Sequence, residues 1–458
     1  MISKFRFQNY SVYLFVVSAA CGYYLANAPR LLGHYDLGWH LAAGDLIRRQ
    51  GQIPSLDPRS FTAGNQPWLN LSWLWDALAS AIFQNSGFDG LIGLTLASGA
   101  VIAAYLVRLC LRENATPMAT CIAALSALLL YPSFSTFPDM YLAASPNMFT
   151  MLFAVAFYGQ CLRRERLSWL PIMMAVWANL HGGFLIGLFI VGAFLGLATL
   201  KRDWRHAKSY ALAFFACAAA ALVNPLGWHI YVGVAATLGN VVQAYITEWW
   251  PYYRDLSWPG SIPNVTYIMF FIALELRSRN RDFPEPRLLT WLFLILGLYQ
   301  FRYMAFFFLF STLPMAKHVD RLLPQLNPQE VTKSLRSAGA VICALLPVLY
   351  LAMRPAFGLP QMITAADVHY LEAHFPHARM LNHWNYGGLL VYYEHGSVPI
   401  FVDGRAATAY PESVLRDYFT LASETVNAAA WDKVLTKYRI DAVLWMNTHT
   451  QLRQFLTG

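Results

Sequence analysis

Two isolated acidic residues lie next to long apolar runs and are the first candidates for chemistry. Asp36 follows the first apolar run, within GHYDLGWH, and Asp139 lies within FPDMYLAASPN. A carboxylate held near a membrane among aromatic side chains costs free energy, and such acids usually serve a function. Two carboxylates at one site could act as a general base and as an organiser of a metal ion or a phosphate. The structural alternatives are a helix cap or a solvated loop acid for Asp36, and a turn after Pro138 for Asp139.

Polar residues at the ends of other apolar runs could bind a sugar or a phosphate. Asn179 and His181 directly precede a Gly-Gly pair, in Trp177–Gly183. The two glycines permit a tight turn, which is the structural explanation of this tip. An amide and an imidazole are not needed for turning and could bond a phosphate or a sugar hydroxyl. His40, in the histidine-rich segment around Asp36, is a further candidate for substrate binding.

Glu248, Arg302 and Tyr303 form a third group of candidates. Glu248 lies in ITEWWPYY, where aromatic rings could stack on a sugar and the carboxylate could accept hydrogen bonds from its hydroxyls. The alternative is that the aromatic side chains only anchor the chain at the membrane interface. Arg302 and Tyr303 stand alone between two apolar stretches. An arginine there needs an anion, which is either a lipid phosphate or a carboxylate such as Asp139 or Glu248.

The composition indicates an integral membrane protein. Of the 458 residues, 57% are hydrophobic and only 13% are charged, whereas a soluble domain carries about 25% charged residues. The net charge of +8 does not indicate nucleic-acid binding, because the basic residues form short clusters between apolar runs. The sequence contains no P-loop, dinucleotide-binding, zinc-protease or Cys-x-x-Cys motif, which argues against nucleotide chemistry and zinc hydrolysis.

The apolar runs predict an α-helical polytopic protein with about eleven transmembrane helices. The predicted spans are 8–28, 89–108, 117–131, 144–162, 167–180, 184–200, 209–223, 262–276, 288–301, 303–316 and 337–353. With the N-terminus in the cytoplasm, the inner segments hold nineteen Lys and Arg residues and the outer loops before the tail hold six. That bias follows the positive-inside rule. In the long first outer loop, 30–88, the amphipathic segment Leu71–Phe83 is too short to span and predicts a helix lying in the interface.

The last hundred residues differ in character from the rest of the chain. Residues 359–458 have ordinary charge density and alternate short apolar and helical patterns, which predicts a small α/β domain on the outer side. The transmembrane domain is accordingly assigned to 1–358. Within the tail, a strand is predicted over Pro399–Val402, and Asp403 and Arg405 follow it in an Asp-Gly-Arg sequence. They form either a turn or a contact to the donor or acceptor.

The arrangement resembles the GT-C superfamily of membrane glycosyltransferases, which use polyprenyl-phosphate-linked sugars. The architecture carries the resemblance: an acid after the first helix, a long first outer loop, a second-loop acid and an outer domain. More specifically, five segments of this sequence resemble those of bacterial GT-C-like proteins: YDLGWHLAAGDLIRRQGQIPSLDPRSFTAGNQPWLNLSWLWDAL, WANLHGGFLIG, NPLGWHIY, ITEWWP and NYGGLL…PIFVDGRAATAY. The resemblance implies a location in the bacterial inner membrane, with the C-terminal domain in the periplasm.

The resemblance also implies roles for the candidate residues. Asp36 corresponds to the acid that acts as base or contacts a metal, and Asp139 corresponds to the assisting acid. A divalent cation, Mg²⁺ or Mn²⁺, would be held by these two acids if the protein uses one. Many members have adjacent acids in the first loop, whereas Asp36 lies between Tyr35 and Leu37, which weakens the case for a metal. The partners implied are a polyprenyl-phosphate-linked sugar and a glycan, lipid or protein acceptor.

Three other functions fit the same helices. A transporter or flippase of a lipid-linked substrate explains the apolar runs and Arg302, but it explains the long first loop and the outer domain less well. An O-antigen polymerase or ligase uses similar donors with different loops. A non-catalytic scaffold that assembles envelope enzymes would not depend on Asp36.

Overall fold

The computed structural model describes residues 2–63, 66–130, 143–255, 261–278, 284–324, 326–393, 398–422 and 428–446. These residues fall into two compact units. The first, which we call the helical unit, comprises Met1–Leu31, Leu91–Val223 and Glu248–Phe357. The second, which we call the mixed unit, comprises Leu32–Gly90, Asn224–Thr247 and Gly358–Gly458. The last segment of the mixed unit therefore begins where the sequence predicts the tail domain, and the first loop belongs to the same unit.

Most of the described chain is helical. The α-helices are α1 (Ile2–Ala26), α2 (Ala28–Leu32), α3 (Leu37–Gln50), α4 (Trp73–Arg112), α5 (Pro117–Leu125), α6 (Asn147–Arg163), α7 (Leu170–Leu180), α8 (Leu185–Leu200), α9 (Trp204–Ala220), α10 (His229–Leu238), α11 (Ile262–Arg277), α12 (Pro284–Tyr299), α13 (Met304–Leu322), α14 (Pro328–Met353), α15 (Ala365–His374), α16 (Trp384–Tyr393), α17 (Glu412–Ala422) and α18 (Ala428–Tyr438). The described residues also form two short strands, β1 (Met380–Asn382) and β2 (Ala442–Leu444), and several short 3₁₀ turns.

Each of the eleven apolar segments predicted from the sequence lies largely on a helix. Three helical stretches are long and apolar enough to cross a bilayer: Trp73–Arg112, Gly182–Leu200 and Pro328–Ala356. Shorter apolar helices occupy Pro117–Leu129 and Leu167–Leu180. For the other segments, the crossing of the membrane stays a prediction.

Gly87 divides α4 into two helices. Its φ of 58° and ψ of −150° lie outside the helical region, a backbone conformation that glycine adopts without a steric penalty. The part before Gly87 corresponds to the short helix predicted over Leu71–Phe83, and the part after it contains the predicted span 89–108. The kink therefore separates the two segments that the sequence distinguishes by their hydrophobic pattern.

Helix α13 is the core of the helical unit. Every residue from Met304 to Ala316 is buried, so the helix is surrounded by protein on all sides, as expected of an element that is hydrophobic all round. It continues to Leu322, well beyond the 303–316 predicted as a short span. Its last turns carry polar side chains, and His318 lies 2.6 Å from a carboxylate oxygen of the buried Glu275 on α11. Pairing of this kind is what allows an acid to remain buried.

Helix α14 packs on α1 by one face only. A Cβ at Gly339 would lie 2.9 Å from the Phe15 backbone, so the two helices approach closely where glycine has no side chain. The opposite face exposes apolar side chains at helical spacing, among them Val341, Leu345 and Val348. An apolar face without a protein partner is typical of a helix in contact with lipid.

The mixed unit joins the first loop to the tail through backbone hydrogen bonds. Strands β1 and β2 pair in parallel, with Met380 opposite Ala442. Ile400 makes isolated parallel bridges with Met380 and with Ser60 of the first loop. The predicted strand Pro399–Val402 is thus reduced to single bridges.

The side chain of Asn382 explains why that segment is not a regular strand. Its Oδ1 accepts a 2.8 Å hydrogen bond from the Phe401 backbone N–H. Its Nδ2 donates a 2.8 Å hydrogen bond to the Val402 carbonyl oxygen. A buried side chain therefore satisfies the backbone groups that a neighbouring strand would otherwise satisfy.

Candidate functional site

Asp36 lies at the N-terminus of α3, with a carboxylate that does not cap the helix. The residue occupies the N-cap position without a side-chain hydrogen bond to the backbone, and 34% of its side chain is exposed. Its own backbone N–H donates to Nδ1 of His34 over 3.3 Å. The His34 Nδ1 lies 3.9 Å from its Oδ2. The Asp36 carboxylate is therefore partly open to solvent and is not used to cap the helix.

Glycines bring the tail against the segment around Asp36. A Cβ at Gly404 would overlap the Asp36 carboxylate, so that carboxylate rests directly on the glycine of the Asp-Gly-Arg turn. A Cβ at Gly388 would lie 2.6 Å from the Tyr35 carbonyl oxygen, and one at Gly38 would overlap the Gly388 carbonyl. Positions where two backbones approach this closely admit only glycine. The sequences DLG, YGG and DGR are thus parts of one packed arrangement.

Arg405 lies in a buried ion cluster with two carboxylates. Its Nη1 donates to Asp57 Oδ1 over 2.6 Å and its Nε donates to Asp403 Oδ1 over 2.9 Å. Its Nη2 donates to the hydroxyls of Ser60 and Tyr410, both at 3.2 Å. Only 4% of Arg405 is exposed. The observed contacts are those of a structural ion cluster that ties the first loop to the tail, whereas the substrate contacts suggested for Asp403 and Arg405 stay predictions.

The two carboxylates of this cluster have pKa values shifted in opposite directions. Burial alone would raise the pKa of Asp57, but the charge and hydrogen bonds of Arg405 lower it below its ordinary value. Burial raises the pKa of Asp403, because the guanidinium it shares with Asp57 compensates that burial only in part. A single guanidinium facing two carboxylates accounts for this asymmetry.

His40 is buried on α3 and bonded to an acid. Its Nδ1 lies 2.5 Å from Asp76 Oδ1, and Asp76 Oδ2 accepts a 2.7 Å hydrogen bond from Asn70. The Trp39 ring stacks on the imidazole, with centroids 3.6 Å apart. These contacts fix α3 against the start of α4. The role of His40 in substrate binding, predicted from the sequence, stays a prediction.

Arg302 pairs with Glu248 in the helical unit. Its Nη1 lies 3.5 Å from Glu248 Oε1, and its guanidinium lies 3.9 Å from the centroid of the Trp249 ring. This is the carboxylate partner that the sequence suggested as an alternative to a phosphate. Because 24% of the Arg302 side chain is exposed, the ion pair is not sealed from solvent. Tyr303 follows in the same turn, directly before α13.

Asn179 and His181 end α7 with different contacts. Asn179 Nδ2 donates to the carbonyl oxygens of Ala175 and Val223, both at 2.7 Å. These bonds connect α7 to the residues that follow α9, which favours the structural interpretation of Asn179. His181 Nδ1 lies 2.7 Å from the Thr150 hydroxyl, so the imidazole is held by α6.

The overall architecture is shared with a known transferase. No family model matches the sequence, and no curated protein sequence matches it. Among solved structures, the chain is similar to the Archaeoglobus fulgidus oligosaccharyltransferase in its apo form, with a TM-score of 0.56 and 12% sequence identity. The similarity covers 93% of this chain and 68% of that chain. The fold is GT-C-like. At this identity the likeness concerns the fold alone, and it agrees with the apolar helices in indicating a membrane protein.

The structure brings some of the predicted site residues together, and one of them lies outside the described residues. Asp36 meets Gly404, between Asp403 and Arg405, and all four belong to the mixed unit. Asp139 lies outside the described residues, so its convergence with Asp36 stays a prediction. Among the described residues, no group of three or more His, Cys, Asp or Glu side chains is arranged to hold a metal ion.

Several residues that organise these sites carry no signal in the sequence. Asp57 precedes Pro58 and has the appearance of a turn residue, and its partner Arg405 is 348 positions away. Asp76 and Thr150 lie in apolar helices, where an isolated polar residue predicts a buried hydrogen bond but does not identify the partner. Asp57 and Asp76 both lie in the first-loop segment that resembles bacterial GT-C-like proteins, and this resemblance is the sequence feature that could have singled them out.

Proposed function

We propose that the protein transfers a sugar from a polyprenyl-phosphate-linked donor to a hydroxyl of an envelope acceptor, at the periplasmic face of the bacterial inner membrane. The similarity in fold to an oligosaccharyltransferase supports a lipid-linked sugar as the donor. The acceptor is a glycan, a lipid or a protein. Nucleotide motifs are missing from the sequence, in keeping with a sugar donor activated through a lipid phosphate.

The observation that carries the proposal is the state of the Asp36 carboxylate. It is partly exposed, faces no capping hydrogen bond and rests on a glycine of the tail. A general base must have an accessible carboxylate oxygen to receive the proton of the attacking hydroxyl. A carboxylate with only a structural role would instead be expected to accept backbone or side-chain hydrogen bonds, as Asp57 does.

The proposed reaction is a substitution at the anomeric carbon. Asp36 takes the proton of the acceptor hydroxyl, and the oxygen of that hydroxyl forms a bond to the anomeric carbon. The bond between the anomeric carbon and the phosphate oxygen breaks, and polyprenyl phosphate leaves with the electron pair. Arg302 and His181 stay the candidates predicted from the sequence for binding the phosphate. A divalent cation held by Asp36 and Asp139 stays a prediction, and the steps above are written for the groups of the protein alone.

Substitution of Asp36 tests the proposal. Purified protein in liposomes receives a panel of radiolabelled hexoses on polyprenyl phosphate, and an envelope fraction from cells lacking the protein supplies the acceptor. We expect Asp36→Asn to reduce label transfer to the acceptor by about 10²- to 10⁴-fold, which is the usual contribution of a general base. Circular dichroism and thermal unfolding establish that the variant is folded.

The matched control is Asp45→Asn, on the same helix. Asp45 is a partly exposed acid that pairs with the exposed Arg49 four residues on and accepts a hydrogen bond from Gln84. Its substitution should leave transfer within about twofold, because such surface pairs contribute little. Equal transfer by wild type and Asp36→Asn would exclude Asp36 as the base. Movement of label across the membrane without attachment to an acceptor would instead support the transporter alternative.

A further inference from the structure

Helix α10 of the mixed unit has two different faces. Ile230 and Val234 are buried. Val232 and Ala236 are exposed, and so is Trp228, which directly precedes the helix. With 3.6 residues per turn, the buried and the exposed positions lie on opposite sides of the helix. In the described part of the chain, α10 is therefore covered by protein on one side only.

The buried face of α10 is connected to the turn on which the Asp36 carboxylate rests. A Cβ at Gly233 would lie 3.4 Å from Leu69 Cβ, so the helix packs directly on the first loop. The Leu69 backbone N–H donates to the Thr408 carbonyl oxygen over 2.9 Å, and the Thr408 N–H donates to the Arg405 carbonyl oxygen over 3.2 Å. Arg405 belongs to the Asp-Gly-Arg turn. A surface that holds α10 in place therefore also holds this turn.

The exposed face of α10 carries no charged side chain. Residues 209–247 contain no Asp, Glu, Lys or Arg. Trp228 is 63% exposed and Val232 is 40% exposed. The polar group on this face is His229, whose ring lies against that of Trp228 with centroids 4.0 Å apart. Rings with an apolar body and a polar edge are typical of the headgroup region of a membrane.

Helix α17 of the same unit shows what a water-facing helix of this protein looks like. Its exposed side carries Glu412 and Arg416, which form an ion pair, and Ser413. Its buried side carries apolar residues such as Leu415. This is the usual pattern of a helix between a core and water. The exposed face of α10 differs from it and therefore does not have the character of a surface that faces water.

The chain reaches α10 directly from a predicted membrane span. The span predicted over 209–223 ends with the exposed apolar residues Leu222 and Val223. A compact turn follows, in which the Gly227 N–H donates to the Asn224 carbonyl oxygen over 2.8 Å. The ten residues of α10 extend over about 15 Å, which is half of the roughly 30 Å of a hydrocarbon core. The helix thus begins close to the predicted outer end of a span and is too short to cross the bilayer.

We propose that the exposed face of α10 docks the mixed unit on the lipid of the outer leaflet. Val232 and Ala236 lie against the acyl chains, and the rings of Trp228 and His229 lie among the headgroups. Lipid is the occupant, because the face is apolar and follows a predicted span after a single turn. The docking does not rest on the proposed function. Since α10 packs on the first loop, it fixes the depth at which the Asp-Gly-Arg turn lies relative to the bilayer.

Electron paramagnetic resonance of single spin labels measures the depth of α10. The full chain, in a variant lacking the six native cysteines, is placed in lipid nanodiscs and labelled at Val232→Cys or, as the matched control, at Ser413→Cys. Collision of the label with oxygen, which concentrates in lipid, is compared with its collision with a water-soluble nickel chelate. We expect the label at position 232 about 5–10 Å inside the boundary between headgroups and acyl chains. The label at position 413 should lie in water.

A charge placed on the exposed face gives a second measurement. In Val232→Glu, a label at Ala236→Cys should move toward water, because a carboxylate is costly inside the membrane boundary. In Ser413→Glu, the same label should keep its depth. The label at position 236 also replaces the one at position 232 should Val232→Cys fail to fold.

Two results would overturn the docking. A label at position 232 that meets the nickel chelate as readily as the label at position 413 would place α10 in water. A label that meets neither reagent would show that protein covers the face, and dipolar broadening between labels would then identify a second copy of the chain as the cover.

Discussion

At the scale of the residue, we expect the largest losses of stability from substitution of the buried charges of the mixed unit. Asp57 accepts two hydrogen bonds from Arg405, at 2.6 and 3.1 Å, and both side chains are almost fully enclosed. A buried ion pair gives little net stability compared with apolar residues, because desolvation offsets the attraction. Removal of one partner is nevertheless costly, since it leaves the other charge buried without compensation.

We therefore expect Asp57→Asn to destabilise the mixed unit by about 3–5 kcal/mol. Amide hydrogen exchange, measured by mass spectrometry, tests this. Peptides from the first loop and from the Asp-Gly-Arg turn should both exchange faster in Asp57→Asn than in wild type. The control is Asp45→Asn, which removes an exposed pair with Arg49 and should change stability by less than about 1 kcal/mol. Unaltered exchange in Asp57→Asn would show that the cluster does not hold the two segments together.

The same pair has a defined pH dependence. Arg405 lowers the pKa of Asp57 below the ordinary 3.8, so the stability it contributes is fully present above that value. This contribution is lost as the pH falls through the lowered pKa, where the folded state must take up a proton. Below about pH 4, the thermal stability of wild type should therefore fall more steeply with decreasing pH than that of Asp57→Asn. Parallel pH profiles for the two proteins would contradict this assignment.

At the scale of the element, close backbone approaches control the position of Asp36. The Gly404→Ala substitution places a methyl group where the Asp36 carboxylate lies, so the carboxylate or the turn must move. A displacement of about 1 Å can reduce an enzyme's rate by about a hundredfold, and we expect a loss of that size in the transfer assay. Gly358→Ala is the control, because nothing lies within 4 Å of a Cβ at that glycine. Full activity of Gly404→Ala would show that this contact does not position the carboxylate.

The elements also show how far the sequence predicts the structure. Long apolar runs predict the helices well, because hydrophobic content and length are local properties. The strand predicted over Pro399–Val402 is different, since a buried Asn382 side chain bonds its backbone in place of a neighbouring strand. The pairing of Asp57 with Arg405 is likewise invisible locally, because 348 positions separate the two residues. Local patterns therefore indicate candidate residues, and long-range packing decides their partners.

At the scale of the whole molecule, the first loop and the tail belong to one unit. Ile400 bridges Ser60, and the Arg405 cluster includes Asp57, so both backbone and charged side chains connect segments that are far apart in sequence. Asp36 is held by residues of both, and a change in either segment can alter its position.

The predicted membrane topology of the protein places the segment around Asp36 on the periplasmic side and the basic loops in the cytoplasm. Nineteen Lys and Arg residues in the inner segments against six in the outer loops before the tail oppose the inverted orientation, because basic residues near span ends are retained in the cytoplasm. In a variant lacking the six native cysteines, Asn85→Cys and Arg205→Cys place single exposed thiols on opposite predicted sides. A membrane-impermeant maleimide should label the thiol at position 85 in intact spheroplasts and the thiol at position 205 only after permeabilisation. The reverse order of labelling would place Asp36 in the cytoplasm, where a donor presented at the periplasmic face could not reach it.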